Sequence, residues 1–168
     1  MNAAIWVLMV QACLGTFDTL YYHEYKLDLA HGDHTATELR LHAARDFLYT
    51  LIIGSLAWVT WNGPLAWILV AALVAEIGIT FRDFVEEDRV RKLPAGERVT
   101  HSVMGIVYGA FLALLAPELW KWSHQPIGFG AAYHGFPGWV LSLVAVGVFV
   151  SGVRDLAASL TPRKTGSD

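Results

Sequence analysis

Two stretches of the chain, ELRLHAARDFLY at 38–49 and ERVTHSVMGIVY at 97–108, repeat one pattern of ionisable side chains. Each reads Glu, three residues, His, six residues, Tyr: Glu38, His42 and Tyr49 in the first, Glu97, His101 and Tyr108 in the second. Residues four apart lie on one helical face, so each pair presents a carboxylate beside an imidazole. Those groups suit proton transfer or ligation of a divalent cation. Asp46 continues the first stripe. Tyr49 and Tyr108 fall about two turns beyond their histidines. There they are candidate catalytic groups, relaying a proton or an electron, or they fill space beside the site. More acids and histidines accompany them: Asp18, His23 and Glu24 in FDTLYYHEYKL, Asp83, Glu86 and Glu87 in RDFVEED, and Glu76 upstream.

Carboxylates crowded at one depth repel one another unless protons or cations neutralise them. Glu24, Glu38, His42, Glu87, Glu97 and His101 form a donor set suited to two divalent ions. Imidazole mixed with carboxylate favours iron, manganese or zinc over magnesium or calcium. Asp18 and Asp46 are then placed to orient histidine N–H groups. His23, Glu76 and Asp83 are further neighbours or alternative ligands. Which of Asp83, Glu86 and Glu87 ligates stays open.

The pattern resembles the ferritin-like di-iron and di-manganese carboxylate proteins, in which two helices give one Glu each and two others give a Glu-x-x-His pair. The resemblance rests on the six donors named above. It implies a four-helix bundle and a di-metal centre, iron first, that activates oxygen or peroxide. This chain departs from it by one residue, since its pairs are Glu-x-x-x-His.

The elements that must position these groups are membrane helices. The chain has 168 residues, 55% hydrophobic and 16% charged, with mean hydropathy +0.43. Soluble domains carry about 25% charged residues. A span needs about 20 apolar residues, and segments near 3–22, 42–61, 64–85, 99–117 and 137–156 meet or approach that. The expectation is an all-α integral membrane bundle of five helices forming one domain over 1–160, with a disordered tail at 161–168. Two helical hairpins, 1–2 and 3–4, would make a pseudo-symmetric four-helix core with the fifth helix outside it. WNGP at 61–64 reads as a turn and LPAGE at 93–97 as a break. The stretch 28–37 reads as a polar loop. The stretch 118–136, with Trp120, Trp122, Phe129 and Tyr133, reads as an interfacial loop. The apolar start lacks the basic region of a secretory signal and reads as a retained first helix. Every lysine and arginine except Lys121 falls on one side of such a bundle. By the positive-inside rule that side is cytoplasmic, with the C-terminus inside and the N-terminus outside the cell's inner or plasma membrane. A net charge of -3 gives no reason to expect nucleic acid, and the lone Cys13 excludes an intramolecular disulfide.

Plainer readings compete. His42 and His101 also fit as interfacial histidines, and Glu24, Glu38, Glu87 and Glu97 as solvated helix ends. Arg154 and Asp155 read as a snorkelling pair. His31, His34, His124 and His134 read as having no role. Glu76 lies mid-span and demands a partner. The leading functional expectation is a di-metal oxidoreductase near the cytoplasmic face, acting on a lipid or quinone and served by a soluble redox partner. The alternatives are a b-type haem held by His42 and His101, a zinc-dependent hydrolase, a cation path through Glu76, and a structural subunit. No Gly-x-Ser-x-Gly motif is present.

Overall fold

The computed structural model describes residues 1–26, 36–90 and 94–160, apart from the side chains of His23, Glu24, Lys26, Glu87 and Val90. Most of the expected polar loop and all of the expected tail at 161–168 lie outside the described residues. The described residues form five helices: α1 (Asn2–Phe17), α2 (Ala36–Leu56), α3 (Leu65–Val90), α4 (Ala95–Ser123) and α5 (Phe136–Leu160). A π-helical segment, Asp18–Lys26, continues α1. Two short strands, β1 (Val59–Asn62) and β2 (Gly128–Ala131), complete the fold.

Four helical stretches, Asn2–Tyr22, Leu65–Glu86, Ala95–Ser123 and Phe136–Leu160, are long and apolar enough to cross a membrane. α2 is 21 residues long but is not among them. Glu38, Arg40, Arg45 and Asp46 charge its first half. It lies between α3 and α5, where Arg45 meets Asp83 of α3 and His42 meets Asp83 and Asp155 of α5.

The helices close a ring in the order α1, α5, α2, α3, α4, with the thinnest contact between α3 and α4. α5 therefore sits between α1 and α2 and not outside a four-helix core, which separates the expected 1–2 pair while α3 stays beside α4. Small residues explain the place of α5. Between apolar helices in lipid, association depends on close van der Waals packing, which small residues permit. A Cβ at Gly54 would stand 3.5 Å from that of Ala145, and one at Gly152 would meet Asp46 Cβ at 3.0 Å. Leu8, Ile52, Leu56, Leu69, Phe111, Leu115 and Leu141 fill the centre. Trp67, Val74, Ile106, Leu143 and Val146 face outward as a lipid-compatible surface.

At one pole the α2–α3 and α4–α5 connections pair as β1 and β2, antiparallel, with Val59 opposite Ala131 and Asn62 opposite Gly128. Gly63 turns the chain at φ 62°, and a side chain there would press on Gln125 O at 3.0 Å. The stretch expected to be an interfacial loop is helical as far as Ser123 and a strand at Gly128–Ala131. Pro117 sits inside α4, as membrane helices tolerate where neighbouring groups satisfy the freed carbonyl. The opposite pole gathers the end of α1, the starts of α2 and α4, and the ends of α3 and α5. It carries the ionisable groups. Tyr22, in the π-helical segment, lies against Gly96 at the start of α4 and joins two of these ends.

Gly152→Leu is expected to wedge α5 from α2 and cost about 1–3 kcal/mol. Gly147→Leu, on a part of α5 where an added Cβ meets nothing, is expected to leave stability unchanged. Thermal unfolding of the two variants in detergent makes the comparison.

Candidate functional site

Asp83, near the end of α3, is fully buried and forms the hub of the polar pole. Its Oδ2 accepts a hydrogen bond from Arg45 Nη1 at 2.7 Å and stands 3.2 Å from His42 Nε2. The other face of the same imidazole looks to α5, where His42 Nδ1 is 3.9 Å from Asp155 Oδ2. Arg154 holds Asp155 through Nε at 3.0 Å and Nη2 at 2.7 Å. Asp46, one helical turn beyond His42, neighbours Arg45, His42, Asp155 and Ser151. A chain of charges thus runs from α5 through α2 to α3. Breaking such a buried pair leaves an uncompensated charge, which costs several kcal/mol.

A second pair forms across the pole. His101 Nε2, on α4, is hydrogen-bonded to Asp18 Oδ2 at 3.2 Å. Asp18 is the residue at which α1 passes into the π-helical segment. Such wide turns are rare and concentrate at functional sites. The Phe84 ring stacks on His101 with centroids 5.1 Å apart. Asp83 lies close enough to His101 to feel its charge, so the two pairs adjoin.

The repeated motif therefore converges at one pole, but with different partners than its spacing implies. His42 meets Asp83 and Asp155, and His101 meets Asp18. Glu38 and Glu97 are both at 0% exposure, which removes the reading of them as solvated helix ends. The side chains of His23, Glu24 and Glu87 lie outside the described residues. Among the described residues no three His, Cys, Asp or Glu side chains gather closely enough to hold a metal ion. Glu86 lies 3.9 Å from Arg89, an exposed side chain. Asp83 is the α3 carboxylate that the described geometry places beside a histidine.

Deeper in the bundle Glu76 finds its partner. Thr80 Oγ1 donates to Glu76 Oε1 at 2.7 Å, and the hydroxyls of Tyr49 and Tyr108 face the same carboxylate. The two tyrosine rings meet edge to face at 6.2 Å. The tyrosines of the repeat thus meet each other and Glu76. A cavity of about 320 Å³ runs from Asp18, Arg45 and His101 at the pole to Gln11, Glu76 and Tyr108 within the span.

Two contributors escaped the sequence reading. Asp155 is 5% exposed and faces His42, so it is no snorkelling residue. Its signal was its spacing of three from Gly152, which puts both on the face that meets α2. Gln11 is buried against the cavity, and its signal was an amide alone in an apolar run. At the far pole His134 is held below the ordinary histidine range, chiefly by burial and then by the nearby N-terminal charge.

The chain matches no family model, and no curated protein and no solved structure is significantly similar to it.

Asp83→Ala is expected to destabilise the protein by about 3 kcal/mol by stranding Arg45 and His42. Adding Arg45→Met is expected to recover part of that loss. Thermal unfolding of the single and double variants would show either outcome.

Proposed function

We propose that this chain is an integral membrane oxidoreductase of the cell's inner or plasma membrane. In this reading the polar pole faces the cytoplasm, the N-terminus lies outside, and the pole holds two divalent metal ions, iron first, with manganese or zinc as alternatives. The substrate is lipid-soluble and reaches the pole through the cavity. One observation carries the reading: the His42 imidazole and the carboxyl groups of Asp18, Glu38, Asp83 and Glu97 are buried at one pole of an apolar bundle, with the half-buried His101 imidazole beside them. Ionisable groups at such depth usually serve a bound ion or a reaction.

The residues fit the metals in kind. Imidazole and carboxylate donors suit iron, manganese and zinc. Each histidine already stands 3.2 Å from a carboxylate, the arrangement that orients an imidazole for ligation. The described donors come in pairs, and Glu24 and Glu87, named as the remaining ligands, lie outside the described side chains. The resemblance to ferritin-like carboxylate sites supports the proposal through donor type and spacing alone. Bound metal would supply redox chemistry. The chain's own groups would orient the imidazoles (Asp18, Asp83 and Asp155), hold charge beside the site (Arg45), and carry protons along the cavity wall (Tyr49, Tyr108 and Glu76). Exposed Arg82, Arg89 and Arg98 near the pole suit an acidic soluble redox partner.

Geometry favours this over a b-type haem. Axial ligation uses a ring nitrogen of each histidine, and the Nε2 atoms of His42 and His101 both face carboxylates. A haem would have to displace both pairs. A zinc hydrolase would use the same donors, and metal identity separates it.

Elemental analysis of detergent-purified protein is expected to find about two non-haem metal ions per chain, with loss in both His42→Ala and His101→Ala. Metal-free preparations in which both variants keep wild-type behaviour would refute the proposal.

A further inference from the structure

The membrane-embedded half of the cavity carries unmet hydrogen bonds. Gln11 Oε1 makes no hydrogen bond among the described residues, and Glu76 Oε2 and Tyr108 Oη make none of full geometry, although the Tyr49 and Tyr108 hydroxyls face the Glu76 carboxylate. Their side chains belong to residues only 5%, 1% and 9% exposed, and all three line the cavity. Leaving a buried polar atom unsatisfied costs about 1–3 kcal/mol. Hydrocarbon offers no water to relieve it. Helices α1, α3 and α4 each contribute one such atom, and α2 adds Tyr49, whose hydroxyl faces Glu76. Two of the three atoms, an amide carbonyl and a carboxylate oxygen, accept hydrogen bonds. A ligand that satisfies them must donate.

The rest of the wall is apolar or aromatic. Phe81 and Phe84 line it from α3 and Met104 and Leu112 from α4, with the Tyr49–Tyr108 pair beside Glu76. The whole cavity, from the pole into the span, is about 320 Å³, against the roughly 150 Å³ that holds benzene. Its membrane-embedded half has room for about one ring.

The ring of helices is thinnest where α3 meets α4. On α4, Gly105 and Gly109 line the cavity there, and a Cβ added to either would meet nothing within 4 Å. Phe81, which lines the cavity from α3, is 65% exposed on the bundle's outer side. Ile106 of α4 is 74% exposed, an apolar surface of the kind lipid covers.

We propose that this half of the cavity binds a hydroxyl-bearing aromatic molecule dissolved in the bilayer, a phenol or quinol, which enters sideways between α3 and α4. Its hydroxyl groups donate to Glu76 and Gln11, Tyr108 closes the set, and its ring lies among Phe81, Tyr49 and Tyr108. The inference deepens the functional proposal by naming the substrate class. It rests on the chain being membrane-embedded and not on the metal.

The test is equilibrium binding to the full chain in lipid nanodiscs, under chelator and without oxygen. The probes are a decyl-substituted hydroquinone, its dimethyl ether, which has lost both donors, and decanol. Saturable hydroquinone binding is expected, with the ether and decanol at least about tenfold weaker. A factor of ten matches one lost hydrogen bond of about 1.4 kcal/mol. Glu76→Leu is expected to weaken hydroquinone binding to the level of the ether. Gly109→Phe should block it with no fall in Tm, because its ring fills open space, while Gly147→Phe on the lipid face of α5 should bind like wild type. Absence of saturable hydroquinone binding, equal binding of hydroquinone and ether, or tighter binding of decanol would overturn the proposal. So would wild-type binding by both Glu76→Leu and Gly109→Phe. Chelator keeps the result independent of whether the pole holds metal.

Discussion

Asp83 is buried at 0% exposure where three helices meet, with Arg45 at 2.7 Å and His42 at 3.2 Å. Much of the bundle's arrangement follows from satisfying that one carboxylate. Lipid tails are as apolar as leucine side chains, so burial alone does not tell one helix from another in a membrane. Specific polar contacts and close-packed glycines make the distinction. Asp83 ties α2 to α3, and His42 extends the tie to Asp155 on α5. The Asp18–His101 pair ties α1 to α4. Gly54 and Gly152 let α2 and α5 approach closely enough for His42 to reach Asp155. The α3–α4 seam is the thin one.

That thin seam links architecture to function. One cavity shares its walls between Asp18, Arg45 and His101 at the pole and Gln11, Glu76 and Tyr108 within the span. It is charged at one end, apolar at its flank, and bordered by two glycines where it nears the lipid. In the proposed function a substrate drawn from the bilayer would be held by its polar head below the histidines. Tyr49, Tyr108 and Glu76 cluster in the region within the span, on the wall of the same cavity.

Much of this was legible in the sequence because charge is rare in it. Glu38, His42, Glu97 and His101 stood out against an apolar background, and antiparallel helices had to bring them to one pole. Helix spacing placed Tyr49 and Tyr108 on related faces, and they do meet. Other features depended on packing that one-dimensional patterns do not carry. His42 meets Asp155 because α5 packs on α2 where Gly54 and Gly152 allow close approach, and not by connection order, whereas Asp18, expected to orient a histidine, does meet His101. Asp155, next to an arginine near a helix end, looks like a surface residue until that placement is known. The π-helical turn at Asp18 leaves no compositional mark. Nor do β1 and β2, in which VTWN pairs with GFGA across a long sequence separation.

The central proposal is that the acids and histidines of the polar pole hold divalent metal. Infrared difference spectroscopy on the full chain in lipid, recorded as a chelator removes divalent ions, addresses it directly. The account predicts that carboxylate bands shift on chelation and return when ferrous iron is restored, and that Glu38→Gln and Glu97→Gln each remove part of the change. A spectrum unchanged by chelation, with protonated carboxyl bands present throughout, would contradict it and leave protons as the neutralising charge.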